Sequence, residues 1–217
     1  MFIFACIVAA LLLFFVYLIN KTLVASVEKI AHPQGLIKHV QHIDDAGFTA
    51  QANTLATWAK QHDFEHDSYV LAHTLIDGSA LQCSVWWSQT QATWVLLYYY
   101  KGKYFYDFVS KLANNGIIST VSGKDGLTLP PAGKNRIQAF PQLSLDELLQ
   151  KHLATQAQFN AKVGLAIQRN KTDVVQELEN ALGQQAEYVK TIPLWKFKGV
   201  FWYFVRRNWL VNKPIEV

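Results

Sequence analysis

Six of the seven histidines, His32, His39, His42, His62, His66 and His73, fall in one early stretch of the chain. Imidazole nitrogens ligate zinc and copper, and His62 with His66 has the i, i+4 spacing that sets two rings on one helix face. That spacing loses force because Phe64 to Asp67 is where a helical pattern gives way to a strand pattern. No HExxH and no second nearby cysteine completes a ligand set, and surface histidines on a polar linker are the competing account. Gly126, Gly133 and Lys134 suggest a phosphate loop, but six residues separate the glycines where four are required, and Asn135 stands where Ser or Thr must bind magnesium. No GxSxG elbow offers a serine nucleophile. Cys83 belongs to the apolar side of its run, where thiols are usually inert. Asp63, Glu65 and Asp67 alternate like a charged strand edge, which explains them without acid–base chemistry. The residues therefore lean away from an enzyme and imply no cofactor.

The element that must position everything else is the apolar run Met1 to Ile19, which ends at Asn20 and Lys21. A helix rises about 1.5 Å per residue and a bilayer core is roughly 30 Å thick, so about 20 apolar residues suffice to cross. A cleaved signal peptide is the rival, and Leu23, Val24 and Ala25 form a weak cleavage-like triplet. A signal should carry a basic region before its apolar run, however, and none precedes Phe2. Cys6 reads as a buried apolar residue. Lys21, Lys29 and Lys38 follow the span and none precedes it, so the body is expected in the cytoplasm with the N-terminus outside. Two widely separated cysteines supply no disulfide framework.

Behind the anchor, Thr22 to Ala31 continues as helix until Pro33 and Gly35 break it. Residues 20–43 form a juxtamembrane helix and linker. A second helix spans about Asp44 to Gln61, with Phe48, Leu55, Trp58 and Ala59 on one side. Five runs then read as strands: Tyr69 to Ile76, Leu81 to Trp87, Thr93 to Tyr100, Tyr104 to Leu112 and Ile117 to Val121. Asp77-Gly78, Lys101-Gly102 and Asn115-Gly116 are two-residue turns, so an antiparallel meander is expected within a sheet domain over 44–142. In the second run Leu81, Cys83, Val85 and Trp87 make the core face, while Gln82, Ser84, Trp86 and Ser88 make a mostly wet one. Aromatics crowd both faces of the third and fourth runs. Helices covering both faces would account for them; the alternative is a surface for an amphiphilic ligand at Tyr98, Tyr100, Tyr104 and Tyr106.

Gly123 to Gln142 reads as loop because of Pro130, Pro131 and Pro141. Ser144 with Glu147 forms a capping box, and Leu143 with Leu148 a hydrophobic staple, so a helix runs to about Ile167, with a bend near Gly164. Thr172 caps another, and the two make a helical hairpin over 143–192. Pro193 opens a final basic aromatic helix over 193–217. Trp195, Trp202 and Trp209 recur every seven residues along one stripe, flanked by Lys196, Lys198, Arg206 and Arg207. Its uncharged centre is too short to cross a bilayer, so an in-plane interfacial helix fits, with packing on the sheet or on a partner protein as the competing account. The formal net charge is only +4, and this local basic cluster points to anionic headgroups before nucleic acid.

Trp58-Ala59 followed by Phe64, the paired strands around Leu96 to Tyr100, Asp107-Phe108-Val109, the Ser119-Thr120 strand, Gly126 to Pro131 with Gly133, Phe140-Pro141, and Ser144 to Leu148 with His152 resemble a family of uncharacterised bacterial proteins. The resemblance covers roughly Leu55 to His152. It implies a shared fold and carries no activity. The combined expectation is α+β: one N-terminal transmembrane helix over 1–19, a five-stranded antiparallel meander with packing helices, and C-terminal helices. Such a chain would be a non-enzymatic accessory or scaffold protein of the bacterial inner membrane, partnered by the lipid bilayer and by other membrane-protein subunits. A membrane-bound domain for a lipid, another amphiphile or a metal is the alternative.

Overall fold

The computed structural model describes residues 2–75 and 77–216, apart from the side chain of Phe2. The first helix, α1, covers Phe2–Ile30 and is long and apolar enough to cross a bilayer. Its two halves differ. Residues 3–18 are exposed throughout, whereas Leu23, Val27 and Ile30 are buried at the i, i+4, i+7 spacing of one helix face. The exposed part, at about 1.5 Å per residue, is some 24 Å long, close to a hydrocarbon core. The buried part docks on the folded body. The apolar helix and the body are thus one continuous piece of packing.

Among the described residues seven strands follow: β1 (Ile37–Val40), β2 (Glu65–Ala72), β3 (Leu81–Ser88), β4 (Thr93–Tyr100), β5 (Lys103–Lys111), β6 (Ile117–Val121) and β7 (Arg136–Ala139). They lie side by side in chain order. Neighbours pair antiparallel except β6 and β7, which are parallel. The expected five-stranded antiparallel sheet is therefore the centre of a seven-stranded mixed one. Both added strands have four residues, too few to show a period. The prolines expected to forbid pairing after Gly123 instead flank β7, and the chain returns through a short 3-10 turn, Lys124–Leu127. In the β4–β5 turn, Lys101 and Gly102 have φ of 48° and 79°, the pair of positive values that a tight hairpin of matching twist demands.

Helices cover both faces. On one face, α2 (Ala46–Gln61) and α3 (Leu145–Val163) bury Phe48, Leu55, Phe64, Trp86, Leu97, Phe108 and Leu148. On the other, α4 (Val174–Thr191) lies over Val70, Cys83, Val85, Trp94, Leu96 and Val109. The side of β3 expected to be wet is dry: Ser84 and Ser88 are wholly buried. Polar atoms there find partners: the Gln82 amide N–H donates to Asp45, and the Ser84 hydroxyl accepts from the Trp86 indole N–H.

Helix ends follow local chemistry. Asp45 caps α2, and Ser144 and Glu147 form the expected capping box of α3. Gly164, at φ 65°, ends α3 where a bend was expected, and Ile167 bridges Leu112 at the sheet edge. Asp173, not Thr172, caps α4. Since α3 and α4 sit on opposite faces of the sheet, they do not form a hairpin. The last helix, α5 (Trp195–Phe204), is followed by a 3-10 turn over Arg206–Trp209.

Candidate functional site

A cavity of about 650 Å³ opens between the sheet and the layer of α1 and α4. Its floor is the β4–β5 part of the sheet, where Tyr98, Phe105 and Asp107 share one face. Its walls come from Ser26 and Ile30 of α1, Leu178 and Leu182 of α4, Leu129, and Tyr203 of α5. The lining is mostly apolar and the volume falls in the range of small-molecule sites. Three elements fix its position. The β4–β5 hairpin sets the floor by register, with Tyr98 opposite Phe105 and Leu96 opposite Asp107. The docked half of α1 closes one side, and α4 forms the roof.

Asp107 is the chemically distinctive group. Protein surrounds its carboxyl, yet the cavity leaves it within reach of solvent. The Ser119 hydroxyl donates to Oδ1 at 2.6 Å, across the β5–β6 pair. Desolvation pushes the carboxyl up to about 7, opposed only by that hydrogen bond. The same burial raises the Tyr98 phenol and the Cys83 thiol well above their ordinary values, with the Asp107 charge adding to both. At neutral pH the Tyr98 phenol on the floor and the thiol of its β3 neighbour Cys83 are both neutral, beside a carboxyl poised between its two forms. The signal for Asp107 was present in the alternation Phe105, Asp107, Val109, which puts a carboxylate on an apolar strand side.

Of the four tyrosines proposed from sequence as a ligand surface, Tyr98 and Tyr100 line the cavity. Tyr106 points to the opposite face, packed beside the α2–α3 core, and Tyr104 is exposed and meets Tyr106 edge to face. His62 and His66 are not brought together as ligands. His62 stacks on Trp58 and reaches Asp146 at 3.1 Å, while His66 sits on β2 between Tyr69 and Trp86, where burial lowers its pKa. Among the described residues no group of three or more His, Cys, Asp or Glu could hold a metal ion. Asp67 pairs with Lys171, and Gly126 packs against Val121 as part of the cavity wall.

The seventh histidine, His152, lies in a sealed polar network under α3. Its Nε2 meets the Ser110 hydroxyl at 2.8 Å and its Nδ1 the Thr120 hydroxyl at 3.0 Å. Gln138 bonds Thr120 and Thr155, and Gln156 bonds Thr93 and Ser110. Desolvation drops the imidazole to about 3, so it stays neutral. Ser110 and His152 resemble a nucleophile–base pair, but both are wholly buried and contribute nothing to the cavity lining. They serve packing.

The tryptophan stripe of α5 divides. Trp195 is buried against α1 and α4, and Trp202 donates its indole N–H to the Leu127 carbonyl at 3.0 Å. Gly199 lets the helices meet, since a Cβ there would lie 3.3 Å from Leu23. The helix ends before Trp209, which is half-exposed with Arg206 over its ring. The outward apolar surface is Leu194, Phe197, Phe201, Phe204 and Trp209, accompanied by exposed Lys196 and Lys198. Arg207 turns inward, stacked on Tyr203 and 3.7 Å from Asp125.

Comparison with family models, curated proteins and solved structures finds no match for this chain.

Proposed function

We propose that the chain is a membrane-tethered, non-enzymatic accessory domain that holds an amphiphilic molecule in the cavity beside its anchor. The observation that carries this is the cavity wall itself: Ser26 and Ile30, in the docked half of the apolar helix, face the floor of Tyr98 and Asp107. An amphiphile leaving a bilayer would meet that opening within about 15 Å of Asn20, given about 1.5 Å of rise per residue. The outward aromatic surface of α5, packed on α1 at Leu23, supports a second attachment in the headgroup layer, where Trp, Lys and Arg are favoured. Lys21 and Lys29, on the body side of the exposed run of α1, support a cytoplasmic body at a bacterial inner membrane.

The test is native mass spectrometry of the full-length protein released from mild detergent. The wild type should carry a non-covalent amphiphile, and Leu182→Trp, which fills the cavity from α4, should lose it. A bare wild-type chain, or the same bound mass on the filled variant, would remove the proposal.

A second proposal, a scaffold subunit of a larger membrane assembly, draws on the same exposed residues of α5. Two attachments raise effective concentration and hold a partner more firmly than one. It expects stoichiometric co-purification of other membrane proteins, lost when Phe197 and Phe201 are both replaced by Ser.

A further inference from the structure

Around the cavity, charge is unevenly placed. At the mouth, Asp77 accepts from the Tyr100 hydroxyl at 3.0 Å and lies 3.9 Å from Lys101, and Asp125 faces Arg207 at 3.7 Å. Lys103 lines the cavity at its exposed edge, at the start of β5, its backbone four residues and so roughly 14 Å from that of Asp107 at about 3.4 Å per residue. Lys29 of α1 is engaged by the Leu75 carbonyl. From α4, Leu178, Leu182 and Gln185 contribute no charge, and from β6 Val121 contributes none. Cys83 and Tyr98 flank the floor in their neutral forms. Among the described residues Asp107 is left as the one carboxyl deep in the cavity, with Ser119 bound to a single oxygen of a group that offers about four acceptor positions.

We infer that the cavity selects amphiphiles with a cationic head, of the alkylamine class, whose ammonium sits on the Asp107 carboxylate while the chain runs past Leu129, Leu178 and Leu182 toward Ile30. The inference rests on the proposal that this cavity is an amphiphile site. A carboxylate or phosphate head would bring like charge beside Asp107 in an apolar setting, where such repulsion is weakly screened. A hydroxyl head would gain only a neutral hydrogen bond, about half as strong as a charge-assisted one. An ammonium head also resolves the cost of ionising an unpaired buried carboxyl, because the two charges desolvate together with hydrogen bonds between them.

The measurement is titration calorimetry on the full-length protein in zwitterionic nanodiscs, with empty nanodiscs as blank. The probes are octylamine, octanol and octanoate, which share a chain length. Octylamine should bind at least about tenfold more tightly than octanol at pH 8, with octanoate weakest. Between pH 8 and pH 6 its affinity should fall by up to about tenfold as Asp107 takes a proton, while that of octanol stays level. Asp107→Asn should remove both the preference and the pH dependence and keep octanol binding. Octanol or octanoate matching octylamine in the wild type would overturn the cationic selection and leave the amphiphile site standing. Failure of all three to bind would overturn both.

Discussion

Asp107 and His152 lie on opposite faces of the same sheet and make opposite demands on pH. Asp107 has its native pKa raised from 3.8 to about 7, so the folded state retains a proton that the unfolded chain releases. Its contribution is complete below the unfolded value and is lost as pH rises toward 7. His152 has its native pKa lowered from 6.5 to about 3, so the unfolded chain binds a proton that the folded state refuses. Its contribution is complete above the unfolded value and is lost as pH falls. Between about pH 4 and 6.5 both slopes operate, each up to about 1.4 kcal/mol per pH unit and opposite in sign. They offset one another in the wild type. Asp107→Asn keeps the shape and lets Ser119 still donate, but it removes one slope. Relative to wild type, its stability should climb by roughly 3 kcal/mol from pH 4 to 6.5. The assay is urea unfolding of the full-length protein in mild detergent, followed by near-ultraviolet circular dichroism at each pH with the denaturant slope checked for constancy. Shifts shared by both proteins, such as those of Asp45 and His66, cancel in the difference. Parallel curves across that range would show that Asp107 carries no proton into the folded state and that its carboxyl is not desolvated.

Three further expectations follow from packing. In vesicles containing bromine-labelled lipid chains, replacing Trp209 by Phe should remove most of the lipid quenching of tryptophan fluorescence, whereas Trp195, buried against α1, should contribute none. Replacing Gly199 by Leu should lower unfolding stability by about 1–3 kcal/mol, because Leu23, Asn20 and Trp195 already crowd that point, and Gly199→Ala should cost less. Cys83 is buried with its pKa pushed up, so iodoacetamide should leave it unmodified in the native protein and label it only at the rate of global unfolding, read by peptide mass.

Much of the architecture was legible because it has a period. The five central strands, the capping box at Ser144 and the long apolar helix each announce themselves through alternation, spacing or length. β1 and β7 do not, since Ile-Lys-His-Val and Arg-Ile-Gln-Ala are too short to alternate and are held by neighbours already in place. The polar side of β3 misled for a different reason. Serine and glutamine on one face read as solvent contact, and only the packing of α2, which precedes β3, and α3, which follows it, turns that face into an interior. The spacing of seven between Trp195, Trp202 and Trp209 presumed one helix, but the turn after Phe204 takes the third residue off it.

The same difference between local and assembled chemistry separates the two buried ionisable groups. Both of His152's ring nitrogens have hydroxyl partners, Ser110 and Thr120, which are tied in turn to Gln156 and Gln138, so its place in the core is complete without any ligand. A satisfied network of this kind rigidifies and specifies packing. Asp107 has one hydroxyl partner and an adjacent space of about 650 Å³. A carboxyl in that position costs stability near neutral pH, and filling the space with an apolar side chain from α4 would be a short evolutionary step. Leu178 and Leu182 leave room instead. A cost kept beside an open cavity, on the side of the sheet where α1 docks, is one that the proposed ligand would relieve on binding.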